Sequence, residues 1–376
     1  MSDEIKIVPV LTKKELKLFI RFPWKVYRGE KKYENWVPPL LVDQNDQFNR
    51  KKNLFFKHAE LQPFLAYKNG VVSGRIAAII DFNYVDYQKD ESGFFGYFES
   101  FDDEAVARAL FKAAEKWVLE KGYKRIIGPM NPSTGNSIGT LIDSYDTPPI
   151  IEMGYNREYY PSLIEKCGYG KSKDLLCYVM DESLKLSDKM LRVAELVKKR
   201  HNISIRSVKI KDWDTIIPIF RNIYNEAWAD NWGFVPWDEE EFEHLAKDLK
   251  MYVFPELVLI AYMGDEPVGF TIPIPDFNQI LVKMNGRLFP TGLIRLLSGK
   301  KKIDMIRVAM LGVKKKAHNK GIDAALVKEI YERGEKIGMK GSELSWILED
   351  NMPLINLLDS WGATQYRKYR IYEKSI

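Results

Sequence analysis

Cysteine, histidine and long apolar runs are scarce in this chain. Two cysteines, Cys167 and Cys177, and four histidines occur in 376 residues. The cysteines form no Cys-x-x-Cys pair and the histidines are scattered, so neither a disulfide framework nor a metal site is expected. No apolar run approaches the roughly 18 residues that a membrane span needs. The N-terminus, MSDEIKIVPV, lacks a basic-then-apolar leader pattern. A cytoplasmic location is the resulting expectation. One-sided charge is missing too: 57 Lys and Arg against 52 Asp and Glu leave a net charge of +5. That excess tolerates an anionic ligand or a membrane surface. It lacks the dense basic stripe of a nucleic-acid binder, so nucleic acid is not an expected partner.

What is present is a repeat. Apolar content of 45% and charged content of 29% suit a globular chain with material for two or three domains. Leu65–Asp81, LAYKNGVVSGRIAAIID, aligns without gaps on Ile260–Asp276, IAYMGDEPVGFTIPIPD. Ala66/Ala261, Tyr67/Tyr262, Gly74/Gly269, Ile79/Ile274 and Asp81/Asp276 match. Each stretch reads as a β-hairpin, turning at Asn69-Gly70 or Gly264-Asp265. The flanks repeat as well. Ile5–Ile20 and Ile203–Phe220 each read as a strand leading into an amphipathic helix. An aromatic turn follows each, at 35–39 and 231–236. After each hairpin comes a strand (Phe94–Glu99; Val308–Val313) and then a helix with three- and four-residue apolar spacing (Asp103–Lys121; Gly321–Ile337). Gly122 and Gly338 stand where a helix C-cap needs them. A further strand follows, then a short helix opened by Asn156 or Asn351, and a closing strand. The expected domains are 1–180 and 203–376, with 181–202 as a connecting helix.

Within the second half, the order of strand, lysine-rich loop with Gly321, apolar helix, strand ending near Asn351, short helix, Gly362 and final strand resembles the GNAT superfamily of N-acyltransferases. WVPPL, GRIAAIID and GPMNPSTGNSIGTLIDSYDTPP further resemble a bacterial tandem group that includes ceramide synthases. The resemblance implies an α/β (α+β) fold of two tandem GNAT-like domains, each a mixed, strongly twisted sheet flanked by helices. It also implies acyl-coenzyme A as co-substrate, no metal, and a small-molecule or lipid amine as acceptor.

The family's loop pattern is Arg/Gln-x-x-Gly-x-Gly/Ala, in which amides at a helix N-terminus cradle a pyrophosphate. Here His318 stands first, Gly321 matches, and Asp323 replaces the last small residue, with helix capping as its expected role. Asn319, Lys320, Ile322 and Ala324 complete the expected coenzyme A loop, with Asn351 beside it. Lys314, Lys315, Lys316 and Lys320 supply positive charge. In the first half the matching loop carries Asp102, Asp103 and Glu104 and no glycine, so that half is expected not to bind coenzyme A.

The resemblance also places backbone donors for the acyl oxygen at Leu311, Gly312 and Val313, so no side-chain nucleophile is needed. Glu349 is the expected general base, with Glu343 and Asp350 as alternatives. The family's tyrosine acid has no match, because Leu358 occupies its position; Tyr369 is the expected substitute, with Tyr366 and Tyr372 as alternatives. Substrate contacts are expected from Asn131, Asn136 and Asp143 in the inserted loop after Gly128, and from Tyr224. Residues 285–302 read as a buried helix, a cover for an acyl chain, or a basic amphipathic segment touching lipid. Two other functions stay open: a Fem-type aminoacyl-tRNA-dependent transferase, and a non-catalytic ligand-binding protein.

Overall fold

A computed structural model describes residues 4–184, 186 and 188–376. The chain forms two compact units. Unit 1 holds the residues up to Leu175 together with Asn278–Leu297 and Arg367–Ile376; unit 2 holds Leu176–Phe277 and Ser298–Tyr366. Two stretches of the expected second domain therefore group with unit 1. The expected linker 181–202 falls in unit 2, although Lys185 and Ser187 lie outside the described residues.

Unit 1 begins β1 (Ile5–Pro9), α1 (Lys13–Arg21), α2 (Pro23–Tyr27), α3 (Leu41–Gln47), β2 (Ala59–Lys68) and β3 (Val71–Asp81). It continues α4 (Phe82–Gln88), β4 (Ser92–Ser100), α5 (Glu104–Glu120), β5 (Arg125–Gly128), β6 (Met130–Asn131), β7 (Ser137–Ile138), β8 (Thr140–Leu141) and α6 (Tyr160–Lys166). β1 to β4 pair antiparallel in sequence order, and β4 pairs parallel with β5. α1 starts at a capping box in which Thr12 and Glu15 satisfy each other's backbone N–H. α5 presents Val106, Ala107, Leu110, Phe111, Ala114 and Val118 at helical spacing and buries them against β2, β3 and β4.

β9 (Gly170–Asp181) leads into unit 2, followed by α7 (Asp188–Arg200), β10 (Ile203–Ser207), α8 (Trp213–Ala227), α9 (Glu239–Tyr252), β11 (Leu259–Met263) and β12 (Glu266–Pro275). The chain then supplies α10 (Asn278–Leu281) and the start of α11 (Gly292–Gly299) to unit 1. Unit 2 resumes with β13 (Met305–Val313), α12 (Ile322–Lys336), β14 (Gly341–Leu348), α13 (Met352–Trp361) and the start of β15 (Thr364–Ser375). β10 to β13 pair antiparallel in order, and β13 pairs parallel with β14.

The repeat extends to backbone detail. In the first hairpin the register shifts between Ala66 and Tyr67, opposite Gly74 and Val72; in the second it shifts between Ala261 and Tyr262, opposite Gly269 and Pro267. The matched Ala-Tyr and Gly positions thus build the same β-bulge twice. α5 and α12 begin one residue inside the expected limits, with Asp103 and Gly321 as their N-caps. Gly122 and Gly338 follow them with φ of +94° and +82°, a conformation that costs an L side chain about 1–2 kcal/mol.

Three expectations need correction. Asn351 caps α13, accepting from Leu354 N at 3.4 Å, but Asn156 caps nothing: α6 starts after Tyr159. The Asn156 amide instead clamps Leu141, accepting from its N–H at 2.7 Å and donating to its carbonyl at 3.1 Å. Asp323 is not a helix cap either, since Gly321 holds that place and Asp323 lies in the first turn. Finally, α11 is not a buried helix, because Leu293, Ile294 and Leu297 are exposed.

Candidate active site

In unit 2 the parallel ladder between β13 and β14 runs from Met305/Gly341 to Val308/Leu344 and stops. Both strands continue, β13 to Val313 and β14 to Leu348. On its other side β13 stays paired with β12 through Val313, with a register shift at Ile272/Pro273 that leaves Ala309 as the extra residue. From Ala309 onward, the edge of β13 facing β14 has no ladder partner. That fork contains Leu311, Gly312 and Val313, the expected carbonyl-polarising backbone. A Cβ added at Gly312 would meet the Trp228 ring, with Cη2 at 2.6 Å, so close packing demands glycine here. Trp228 stacks on Tyr224 at 4.5 Å, which places Tyr224 in the aromatic wall behind Gly312. Burial pushes the Tyr224 hydroxyl pKa up.

After β13 the chain turns through Lys314 to Gly321. Asn319 and Gly321 both adopt left-handed backbone, φ +59° and +64°. The helix takes up its first amide only at Ala325, which donates to Gly321 O at 3.0 Å. Among the described residues, the amides from Asn319 to Ala324 have no acceptor in the protein. Successive unpaired N–H groups at a helix N-terminus form an anion-binding concavity. His318 braces this loop by donating from Nε2 to Val313 O at 2.9 Å. Two of the four lysines are committed elsewhere, Lys315 to Asp230 at 2.6 Å and Lys316 to Glu266. Lys320 Nζ lies 3.5 Å from Met263 Sδ, makes no ion pair among the described residues, and is the cation left nearest the free amides in sequence.

Sequence reasoning named Glu343 and Tyr366 only as alternatives and missed Arg307, Ser345 and the polar network that joins them at the base of the fork. Arg307 and Glu343 are register partners one step before the ladder ends, and both are buried. Glu343 accepts hydrogen bonds from Ser345 Oγ at 2.6 Å and from Tyr366 OH. Arg307 donates from Nε to Ser345 Oγ at 3.0 Å and lies over the Trp346 ring at 4.7 Å. Carboxylate, hydroxyl, phenol and guanidinium are therefore joined where the strands part. The available signal was a charged residue at neighbouring positions in two strands, Arg307 in the otherwise apolar MIRVAM and Glu343 in GSELSW. Buried charges on adjacent strands must find one another or polar partners.

The remaining expected residues disperse. Glu349 is half-buried in the turn after β14. Leu358 is fully buried in the core under α12 and α13. Tyr369 belongs to unit 1, whereas the fork is in unit 2, and its hydroxyl donates to Gly154 O at 2.8 Å. Asn131, Asn136 and Asp143 also lie in unit 1. Asn136 accepts from Ser133 Oγ at 2.8 Å, and Asp143 from Lys368 N at 2.6 Å. Gly135-Asn136-Ser137-Ile138-Gly139 spells Gly-x-Ser-x-Gly, but Ser137 sits in the β6/β7 hairpin and not on a strand-to-helix elbow. A groove of about 420 Å³ between α7 and α12 includes no residue of the fork or the amide loop. Among the described residues, no group of three or more His, Cys, Asp or Glu could hold a metal ion.

Unit 1 has a matching fork, and its own residues fill it. β4 and β5 pair only from Ser92/Arg125 to Phe94/Ile127. Beyond that, Asn131 Oδ1 accepts from Tyr97 N at 2.6 Å, and its amide donates to Ser137 O at 2.9 Å. The shared register (Gly74 with Ser100, Gly269 with Val313) puts Glu99 where unit 2 has Gly312. The Glu99 side chain is 12% exposed and accepts from Tyr27 OH at 2.8 Å and Tyr160 OH at 2.6 Å. Burial raises its pKa against the opposing pull of Arg75 and the two hydroxyls. The matching helix N-terminus is occupied as well: Asp103 accepts from Val106 N at 3.1 Å and pairs with Lys68 at 2.7 Å.

Burial works to raise the Asp103 pKa, but Lys68 and the Val106 amide outweigh it and hold the carboxyl below its ordinary value. A depressed folded pKa gives stability that is present above the unfolded value and lost as pH falls through the folded one. Asp103→Ala should therefore cost about 1 kcal/mol near neutral pH. The gap from wild type should close in acid, below the ordinary aspartate range. Asp103→Asn, which can still cap, should lose less. Urea melts at a series of pH values check both.

The fold is that of the GNAT N-acyltransferases, present in tandem. Solved structures of this fold include a tandem GNAT protein from the clavulanic acid biosynthesis pathway, with TM-score 0.55, 10% identity, and coverage of 99% of this chain and 98% of that one. Another is a GCN5-related N-acetyltransferase from Sphaerobacter thermophilus, with TM-score 0.53, 13% identity, and coverage of 98% and 95%. The chain is 33% identical over 387 aligned positions to bacterial ceramide synthase of Caulobacter vibrioides, covering 100% of this chain and 98% of the relative. It is 34% identical to protein YghO of Escherichia coli K12, covering 97% and 94%. The chain belongs to the family of bacterial ceramide synthase and protein YghO. No protein-family profile matches it. The resemblance read from the sequence is borne out, and a non-catalytic role gives way to that of an enzyme. Among the described residues, no helix is long and apolar enough to cross a membrane.

Proposed function

We propose that this enzyme transfers an acyl group from coenzyme A to the primary amine of a lipid, with the donor held by unit 2 alone. The observation that carries this reading is the run of unpaired amides from Asn319 to Ala324 at the start of α12, next to a fork open from Ala309 onward. Those amides fit a diphosphate, with Lys320 as the nearby cation, while Asp323 stays in the first helical turn where the dipole favours it. The thioester, when bound, supplies an activated acyl carbon. The chain's part is to fix it and polarise its carbonyl by backbone N–H in Leu311–Val313. The amine nitrogen forms the new C–N bond as the C–S bond breaks, and coenzyme A leaves with that electron pair as its thiolate. Glu343, through Ser345 and Tyr366, takes the amine proton. A lipid acceptor is favoured because one relative is named as a ceramide synthase over nearly its whole length.

The filled fork and capped helix of unit 1 support a single donor site. Calorimetry with palmitoyl-coenzyme A should therefore give one site per chain. Gly321→Val should weaken it by about 100-fold or more. The substitution forces a left-handed residue to carry a side chain and puts its Cβ about 3.2 Å from Val197, disturbing roughly two charge-assisted hydrogen bonds of about 1.5–3 kcal/mol each. Mass-spectrometric detection of N-acylated product from a long-chain amino-alcohol tests turnover. Absence of both binding and product with the intact chain would remove the reading.

A further inference from the structure

The segment around α11 has a surface that the acyltransferase reading does not use. Phe289 is 70% exposed, Ile294 67% and Leu297 73%, with Leu293 beside them at 41%. Leu293, Ile294 and Leu297 share one face of α11. The helix is seated from another side: a Cβ at Gly292 would lie 2.6 Å from Met284 Cε and press on Arg287 O. Arg295 pins it further, donating to Lys283 O at 2.8 Å. The apolar face is thus held outward by contacts on its opposite side.

The charge around it has one sign. Between Asp276 and Asp304 the sequence contains no Asp or Glu, but has Lys283, Arg287, Arg295, Lys300, Lys301 and Lys302. Among the described residues none of these six makes an ion pair. Elsewhere in the chain the lysines and arginines are widely paired, as at Lys198, Lys328 and Arg370. A short helix with apolar side chains outward and unpaired cations around them is built to lie in the interface of a bilayer, side chains among the acyl chains and cations at the phosphates. Exposed apolar side chains grouped on one short segment mark an interaction surface, and the acid-free run of sequence that carries them matches an anionic partner.

We infer that Phe289, Leu293, Ile294 and Leu297, with the cations Lys283, Arg287 and Arg295 of the same segment, dock the protein on anionic lipid bilayers. The argument is independent of the donor site, so either can fail alone.

The test is co-sedimentation of the full chain with vesicles of phosphatidylcholine alone and of phosphatidylcholine with 30% phosphatidylglycerol, taking about 30% as an ordinary anionic load. Wild type should pellet with the anionic vesicles and release as salt rises. Phe289→Glu/Ile294→Glu/Leu297→Glu should lower the partition coefficient at least about tenfold, one step of the affinity scale. Lys283→Glu/Arg287→Glu should lower it and flatten the salt response. Leu297→Glu alone serves if the triple variant melts early. The inference is overturned if wild type stays in solution with anionic vesicles, or if the apolar variants bind as well as wild type. It is equally overturned if sedimentation velocity without lipid shows a dimer that the triple variant abolishes while vesicle binding is absent, since the patch would then cover a second copy.

Discussion

Removing the last ten residues, Arg367–Ile376, should unfold unit 1, although they lie at the far end of the chain from most of that unit. Within unit 1 this strand pairs antiparallel with β5, from Tyr372/Gly128 to Ser375/Arg125, and with β8 at Tyr369/Leu141. It buries Tyr369, Ile371 and Tyr372 almost completely. Three such side chains are worth roughly 5–9 kcal/mol at about 1.5–3 kcal/mol each. A whole domain has only about 5–15 kcal/mol in hand. Polar partners are lost with them. Asp174 would lose Arg370, which donates to it at 2.8 and 3.0 Å, and Glu115 would lose Lys374 at 2.8 Å. Limited proteolysis should find new cuts throughout residues 4–175 of the truncated chain, whereas the full chain resists. If the truncated protein melts within a few degrees of wild type, the assignment of this strand to unit 1 is wrong. The converse strand makes the same demand. Leu176, Tyr178 and Met180 of β9 lie in the core of unit 2, so a fragment beginning at Ile203 should not fold alone. Expressing 1–202 together with 203–376 should recover both units.

That exchange of strands is the part of the fold the sequence does not reveal. The repeat itself was legible because local chemistry writes it. Alternation, an Asn-Gly turn, a helix-spaced apolar stripe and a following glycine each report on neighbouring residues, and the paired hairpins matched down to the bulge at Ala66 and Ala261. Strand partnership between residues 128 and 372 is set by the folded whole and has no local signature. The site divides in the same way. The loop from His318 to Ala324 is contiguous, so its pattern could be read directly. Glu343 and Tyr366 come from different elements, and their junction with Arg307 depends on where the β13–β14 ladder stops. Tyr366 and Tyr369 share the final strand, but a three-residue step reverses the face of an extended chain. The Tyr369 hydroxyl is taken by Gly154 O.

Glu343→Gln should lower kcat by about 10²- to 10⁴-fold, the range for losing a positioned base, with the affinity for palmitoyl-coenzyme A unchanged. Glutamine keeps the shape: its oxygen can accept from one of Ser345 and Tyr366, and its NH2 can donate to the other hydroxyl once that rotates, so the fork should stay intact. What it cannot do is hold a proton delivered by the amine. Tyr366→Phe removes one donor to the carboxylate and should reduce kcat less, because Ser345 Oγ remains at 2.6 Å. Glu349→Gln provides the comparison, since Glu349 lies beyond the end of β14 rather than at the parting of the strands. If Glu349→Gln abolishes turnover and Glu343→Gln spares it, the base lies at the strand end and the buried carboxylate only holds β13 and β14 together. A structural role for Glu343 also predicts a lowered melting temperature without a selective loss in kcat. A proton-accepting role predicts the reverse. It further predicts that the variant's deficit shrinks as pH rises, where more of the amine arrives already unprotonated and the remaining barrier is attack on the polarised carbonyl.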